Sequence, residues 1–452
     1  MELDMTKGRP LPIILKFLLP LFLGNIFQQF YNMVDTIIVG RFVGANALAA
    51  VGSTGTIMFL VLGFAQGLTT GFTVLTSQSF GAGDMKRVKH SVANGIILSL
   101  IVVVATTILS VLSINPLLRL MNTPEDIFHY ASSYITTICY GIIASVFYNL
   151  FSAFLRAVGN SKIPLYFLIF SAFLNIILDL VLIIVFNLGV VGAALATNIS
   201  QGISAVLCLV YIYKKVPMLA PDKKDWYLNS RDSAHQLRVG LPMALQFGIT
   251  ATGTMIMQAA INLFGSTAVA AFTAASKLSG LLTQEMNAMG QAMATYSGQN
   301  YGNGDYIRIK KGVRASMLAN TVYATVAAVA ANLLLSSTLS IFFSGSTPIA
   351  ELLPWARIYI QISTIFYIPL SFIFIFRNTM QGCGYGFLPM MGGVVELFAR
   401  MIAAIIAIKI NSYTLAVACD PIAWIAAAIF TFVGYLYVIS DVEKKIKLHS
   451  VN

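Results

Sequence analysis

Long apolar runs dominate the chain, and the short stretches between them hold most of the charged residues. A helix needs about 20 mostly apolar residues to cross the hydrocarbon core of a bilayer, and each run is at least that long. We therefore predict an all-α integral membrane protein with twelve transmembrane helices. The predicted spans lie near 13–38, 46–76, 91–113, 128–155, 163–186, 189–213, 238–264, 268–297, 312–343, 353–376, 387–409 and 418–440.

The second half of the chain repeats the first. The segment QSFGAGD at 78–84 returns as QNYGNGD at 299–305, which is 221 residues later. Other pairs recur in the same order at offsets of 222 to 225, and such a series indicates an internal duplication. These pairs are Leu19-Pro20 with Leu241-Pro242, Gly159 with Gly384, and Pro164 with Pro389.

Each half contains six spans, an even number, so both halves enter the membrane from the same side. We therefore predict two parallel six-helix repeats related by an axis along the membrane normal. The N-terminal lobe covers 1–213 and the C-terminal lobe 237–452. The segment 214–236 is charged and contains prolines, as expected of a cytoplasmic linker.

Composition and charge exclude several classes of protein. Hydrophobic residues make up 58% of the chain and charged residues 10%, whereas soluble domains have about 25% charged residues. The net charge of +11 is not gathered on one face but lies in the N-terminus, the even-numbered loops and the C-terminus. This distribution predicts cytoplasmic termini and argues against nucleic-acid binding. The four cysteines form no CxxC pair, which argues against a disulfide framework or a zinc site.

Two aspartates lie inside apolar runs of the first half. Asp35 and Asp179 come nineteen and seventeen residues after the last lysine before their runs, so both lie roughly 25–28 Å along their helices. Asn175 is one turn before Asp179 on the same face. Asn149 and Thr197 add polar groups in the same half of the membrane, so we predict an oxygen-rich pocket.

Such a pocket has two chemical uses. Carboxylate, amide and hydroxyl oxygens suit a hard cation, so Na⁺ is a candidate ligand of Asp35 and Asp179. Two close carboxyl groups in a low dielectric also hold a proton. A third interpretation is that Asp35 lies near the outer interface and faces water.

Charged residues inside the second half have structural and functional interpretations. Glu285 either pairs with Lys277 or serves as a cation-substrate or proton site, and we assign Glu285, Gln284 and Tyr31 to substrate binding or a secondary acidic site. For Glu396 and Arg400, four residues apart, a structural ion pair is favoured.

A proline lies early in the first span of each half. Pro20 and Pro242 each free a backbone carbonyl and permit a kink, which makes them candidate hinges.

Three motifs together resemble the multidrug and toxic compound extrusion (MATE) family over essentially the full length of the chain, and within it the MepA-like bacterial branch. They are PLFLGNIFQQFYNMVDTIIVGRFVGANALAAVG at 20–52, the QSFGAGD and QNYGNGD pair, and LRAVGNSKIP at 155–164. The resemblance implies two six-helix lobes that enclose a V-shaped cavity. It also implies that Asp35, Asp179 with Asn175, Asn149 and Thr197 match an acidic site, and that Pro20 matches a kink proline.

The function implied is cation-coupled export of lipophilic, mostly cationic drugs and toxins in exchange for H⁺ or Na⁺. We expect a monomer in a bacterial plasma membrane, in contact with lipids and small-molecule drugs, with no cofactor besides the coupling ion. The alternatives are a lipid-linked oligosaccharide flippase of the same superfamily, a membrane-embedded enzyme and a channel. Few cationic residues in the spans argue against the flippase, and the absence of DxxxD and HExxH motifs argues against the enzyme.

Overall fold

A computed structural model describes residues 3–121, 123–342 and 349–451, and in these ranges the protein is helical, without β-strands. The all-α prediction is confirmed. The last residue of the ninth predicted span, 343, lies outside the described residues. The helices are Pro10–Phe42 (α1), Ala45–Gly81 (α2), Met85–Leu120 (α3), Glu125–Tyr140 (α4), Ile142–Ala157 (α5), Lys162–Leu180 (α6), Gly189–Lys215 (α7), Ser230–Asn262 (α8), Ser266–Leu282 (α9), Gln284–Gly302 (α10), Tyr306–Phe342 (α11), Ile349–Ile365 (α12), Tyr367–Gly382 (α13), Phe387–Lys409 (α14), Tyr413–Val417 (α15) and Cys419–Val451 (α16).

The helices match the twelve predicted apolar runs in order. Within the described residues, nine helices are long and apolar enough to cross a membrane, and two bent pairs, α4 with α5 and α12 with α13, raise the number to eleven. The eighth predicted span corresponds to α9 and α10, which do not meet the same test. The reason is that α10 is mostly buried inside the protein, so its polar residues need not face lipid.

The predicted duplication is visible in the positions where helices break and turn. The α4–α5 pair bends by 48° at Gly141, and the α12–α13 pair bends by 50° at Phe366, which is 225 residues later. Gly83 and Gly304, 221 residues apart, both adopt a left-handed backbone with φ of 73° and 74°. Glycine adopts this conformation without steric strain, so the two turns after α2 and α10 have the same geometry.

The chain divides into two compact units. The first contains Leu3, Asp4 and Leu19–Gly248, and the second contains Met5–Leu18 and Ile249–Asn452. One boundary falls inside α1 between Leu18 and Leu19, and the other falls inside α8, six residues after Pro242. Helices α1 and α8 therefore each contribute residues to both units.

Within the first unit, the segment that precedes α8 packs on the start of α3. Arg87 Nη2 lies 3.0 Å from Asp232 Oδ1, and the His90 ring stacks on Tyr227 with centroids 4.3 Å apart. The buried Gln236 donates to the backbone oxygens of Phe72 and Ser91. These contacts fix the first turns of α8 in the first unit.

Glycines allow α2 and α8 to come very close together in the first unit. A Cβ atom added to Gly71 would lie 2.3 Å from Gly240 Cα, and one added to Gly67 would lie 2.7 Å from the backbone oxygen of Met243. Only glycine fits at such distances. This contact fixes the part of α8 that contains Pro242.

In the second unit, the Arg308 side chain binds backbone carbonyl groups of the segment that precedes α1. Its guanidinium donates to the carbonyl oxygens of Met5 (3.0 Å), Lys7 (2.6 Å) and Gly8 (2.7 Å). Met5 is fully buried, and its N–H donates to Gln299 Oε1. These bonds explain why residues 5–18 belong to the second unit.

Candidate functional site

Helix α6 places an aspartate and an asparagine inside the first unit. Asp179 and Asn175 are one helical turn apart, and neither is exposed to solvent. A π-helical turn, Val181–Val185, begins two residues after Asp179. Single π-helical turns within α-helices often occur at functional sites because they reorient the neighbouring side chains.

Helix α1 brings a second carboxyl group to the same place. The half-buried Asp35 is within hydrogen-bonding distance of Asp179. A hydrogen bond between two carboxyl groups requires a shared proton, because two ionised carboxylates are both acceptors. Asp35 Oδ1 is buried and has no hydrogen-bond partner among the described residues. The pair is therefore suited to hold a proton or a bridging cation.

Polar side chains from four helices surround the two acids. Asn175 Nδ2 lies 3.3 Å from Thr197 Oγ1 on α7, and the Tyr31 hydroxyl also hydrogen-bonds Thr197. Tyr134 on α4 is 3% exposed and close enough to interact electrostatically with Asp35, Asp179 and Tyr31. Sequence reasoning missed Tyr134. The internal duplication offered one signal, because the corresponding residue of the second half, 225 positions later, is also a tyrosine, Tyr359.

We call Tyr31, Asp35, Tyr134, Asn175, Asp179 and Thr197 the acidic cluster. It offers carboxyl, phenol, amide and hydroxyl oxygens, which are ligands for a small hard cation or partners for a proton. Two ionised carboxylates inside a membrane protein would be strongly unfavourable without a compensating positive charge. The cluster is therefore built to take up positive charge.

The structure places the remaining predicted residue of this group, Asn149, differently. Its amide nitrogen donates to the backbone oxygen of Ser145, one turn earlier on α5, at 2.8 Å. This bond holds the amide against its own helix. The contacts that bring the acidic cluster together do not include Asn149.

Glu285 and Gln284 begin α10 in the second unit, whereas Tyr31 belongs to the acidic cluster of the first. Glu285 is 5% exposed, and its Oε2 has no hydrogen-bond partner among the described residues. Lys277 is exposed on α9 and forms no ion pair with Glu285. The structural Lys–Glu pair is therefore not formed. Tyr323, whose hydroxyl donates to the Leu282 oxygen, is close enough to interact electrostatically with Glu285.

The predicted ion pair between Glu396 and Arg400 on α14 is confirmed. Arg400 Nη2 lies 2.7 Å from Glu396 Oε1, and Nε lies 2.6 Å from Asp420 Oδ1 on α16. Sequence reasoning missed Asp420. Arg400 is 3% exposed, so its charge depends on these two carboxylates.

The two predicted hinge prolines lie inside long helices, Pro20 in α1 and Pro242 in α8. Neither residue 20 nor residue 242 can donate a backbone hydrogen bond, which weakens its helix locally. Pro20 is fifteen residues from Asp35 on the same helix.

Comparisons with known proteins match the chain to one family of membrane proteins over most of its length. The sequence model of the MatE family matches residues 20–181 and 242–406. The chain is 33% identical over 308 residues to the probable multidrug resistance protein YpnP of Bacillus subtilis, with 68% of each chain covered. It is 24% identical over 263 residues, 57% of each chain, to the multidrug export protein MepA of Staphylococcus aureus. A MOP superfamily transporter from Pyrococcus furiosus has the same fold, with a TM-score of 0.91, 22% identity and 98% of each chain covered.

Proposed function

The chain belongs to the MatE family of multidrug efflux transporters, and from that premise we propose that it is an antiporter that exchanges H⁺ or Na⁺ for lipophilic, mostly cationic drugs. The observation that carries the proposal is the contact between Asp35 and Asp179 inside the first unit. Two acids so placed need a positive partner, and a transported ion supplies one.

Ion binding changes the charge of the acidic cluster. With no ion, two ionised carboxylates on α1 and α6 repel each other, and with a proton or Na⁺ bound they are held together. Because Asp35 is on α1, this difference acts on α1. We propose that α1 bends near Pro20 when the cluster is occupied, and that Pro242 gives α8 a corresponding hinge.

The gradient of the coupling ion supplies the energy for this exchange. For a monovalent cationic drug only the concentration gradient of the ion contributes, because one positive charge leaves the cell as one enters. For a neutral drug one net charge enters per cycle, and through about 100 mV it releases about 2.3 kcal/mol, which corresponds to a roughly fifty-fold concentration ratio of drug. The bound ion leaves on the inner side, and the carboxylates then repel again. The cycle therefore restores the state that accepts a new drug molecule.

Cationic substrates are supported by Glu285. Its carboxyl is buried, its Oε2 has no hydrogen-bond partner among the described residues, and it belongs to the second unit. A buried carboxylate favours a cationic ligand. We propose Glu285, with Gln284, as a secondary acidic site that contacts the drug.

The cellular setting follows from the charge distribution. Lys and Arg in the linker and at both ends of the chain support cytoplasmic termini in the plasma membrane. The relatives are transporters of the same family, so no enzymatic activity is proposed. We propose a lipid-embedded monomer that needs no cofactor besides the coupling ion and does not bind nucleic acid.

The experiment is ethidium efflux from proteoliposomes under an imposed pH gradient and, separately, an imposed Na⁺ gradient. We expect one of the two gradients to drive uphill transport, and Asp35→Asn and Asp179→Asn to abolish the coupling. Asp126→Asn makes the same chemical change at an exposed position and is the matched control. Undiminished coupled transport in both cluster variants would contradict the proposal, and purely downhill flux would indicate a channel.

A further inference from the structure

The internal duplication allows the acidic cluster to be compared with the same place in the second unit. Leu19-Pro20 and Leu241-Pro242 fix the offset for α1 and α8 at 222, and Pro164 and Pro389 fix it for α6 and α14 at 225. At these offsets Asp35 corresponds to Met257, and Asp179 corresponds to Ala404. Both counterparts are buried in an apolar core. The second unit therefore lacks the two acids of the first.

In the second unit, a charged residue occupies the position that corresponds to Asn175 of the acidic cluster. At the offset of 225, Asn175 corresponds to Arg400. Asn175 contacts Thr197 on the helix that ends the first repeat, and Arg400 contacts Asp420 on the helix that ends the second. The guanidinium thus occupies the equivalent layer between equivalent helices.

The space for the guanidinium is made by another replacement. Tyr31 of the cluster corresponds, at 222, to Gly253. A Cβ atom added to Gly253 would lie 1.9 Å from Arg400 Nη1, so a larger residue there would displace the guanidinium from its present position. In the first unit, the same position carries a tyrosine ring whose hydroxyl reaches Thr197.

One member of the cluster is unchanged in the second unit. Tyr134 corresponds, at 225, to Tyr359, which is 4% exposed. Tyr134 lies near the acids of the first unit, and Tyr359 lies near Asp420 in the second. Both units therefore place a buried phenol beside carboxylates at the same point of the repeat.

We infer that Arg400 is a built-in cation that occupies, in the second unit, the place where the first unit binds its coupling ion. Two carboxylates, Glu396 and Asp420, surround the guanidinium at 2.7 and 2.6 Å, as two carboxylates in the first unit surround the ion. A tethered cation cannot leave. The second unit is thereby held in the occupied state, and each transport cycle uses a single ion site.

The inference rests on the proposed function for the identity of the ligand in the first unit, but it makes a separate statement about the second. If Arg400 is a substitute for an ion, its removal creates a cation site between Glu396 and Asp420. A second positive charge, Arg377, interacts electrostatically with Glu396. Arg377 stays in place in every variant below.

The test measures thermal unfolding of the full-length protein in detergent. The background is Asp35→Asn/Asp179→Asn/Glu285→Gln, in which neither the acidic cluster nor the proposed secondary site keeps a carboxyl group to bind a cation. We compare NaCl with choline chloride at equal ionic strength, and add guanidinium chloride at concentrations far too low to denature. The background protein, with Arg400 intact, is expected to respond to none of these salts.

Arg400→Gln in this background is expected to lower the unfolding midpoint in choline and to regain it with Na⁺ or guanidinium. Arg400→Lys, which keeps a tethered charge, is expected to show no such response. If neither Na⁺ nor guanidinium raises the unfolding midpoint of Arg400→Gln, the inference is overturned.

Two further variants keep the test decisive. Glu396→Gln/Arg400→Gln leaves one carboxylate, Asp420, for one monovalent cation, and it serves if the single variant does not fold. Its stability must also rise with Na⁺ or guanidinium, or the inference is wrong. Adding Asp420→Asn must abolish the response. Because these measurements involve no drug transport, their failure is distinguishable from failure of the proposed antiport.

Discussion

The contact between α2 and α8 leads to a prediction whose size follows from the structure. In Gly71→Ala, the added Cβ would meet three backbone atoms of Gly240 and Val239 at 2.3, 2.6 and 3.0 Å. Backbone atoms cannot rotate away as a side chain can, so the two helices must separate. Overpacking of this kind destabilises by about 1–3 kcal/mol, and the three backbone contacts place this site at the upper end.

Helix propensity acts in the opposite direction. Replacing glycine by alanine in the interior of a helix stabilises it by about 1 kcal/mol. The net expectation for Gly71→Ala is therefore a loss of about 2 kcal/mol. Gly55 is the matched control, because it lies on the same helix and nothing is within 4 Å of its added Cβ. Gly55→Ala is expected to gain up to about 1 kcal/mol.

The assay is thermal unfolding of the two variants in the same detergent. A difference of about 3 kcal/mol corresponds to midpoints roughly 6–12 °C apart for a domain of this size. Gly240→Ala is expected to resemble Gly71→Ala, since its Cβ would lie 2.6 Å from the backbone oxygen of Leu68. If Gly71→Ala unfolds at the same temperature as Gly55→Ala, the close packing of α2 on α8 is refuted.

Three further variants test the site. Pro20→Ala restores a backbone donor in α1 and is expected to slow drug exchange severalfold. Thermal stabilisation by the cation is expected to stay unchanged, and weaker cation binding would contradict the hinge role. Tyr134→Phe removes a phenol hydroxyl beside the acids. It is expected to weaken cation binding by roughly five- to ten-fold, which is the contribution of about one hydrogen bond. The control Tyr130→Phe, at an exposed position, is expected to leave cation binding unchanged. Glu285→Gln is expected to weaken binding of a cationic drug severalfold without affecting a neutral drug of similar shape, and exposed Glu351→Gln is its control; equal loss for both drugs would argue against a charge role.

The apolar pattern predicted the helices well because lipid contact demands apolar side chains over a whole span. It predicted one span, 268–297, where the structure has two helices, α9 and α10. Helix α10 contains Gln284, Glu285 and other polar residues. Burial of α10 within the protein removes that demand. The bends at Gly141 and Phe366 were not predicted, although Gly141 itself and Pro369, three residues after Phe366, are residues at which helices commonly break.

The acidic cluster could be anticipated in part. Equal depth along two helices pointed to Asp35 and Asp179, and helical periodicity added Asn175. Tyr134 could not be found in this way, because its approach to the acids depends on how α4 packs against α1 and α6. Asp420 was missed for a similar reason, since the short helix α15 separates its helix from α14 and sequence spacing does not show which carboxylate reaches Arg400.

The central claim, that the acid pair binds the coupling ion, is tested most directly by ion counterflow. Proteoliposomes are loaded with drug on one side without any ion gradient, and the movement of H⁺ or Na⁺ against the drug is recorded. The wild-type protein and Asp126→Asn should show counterflow, and Asp179→Asn should show none. Counterflow of normal size in Asp179→Asn would mean that the ion travels elsewhere in the protein.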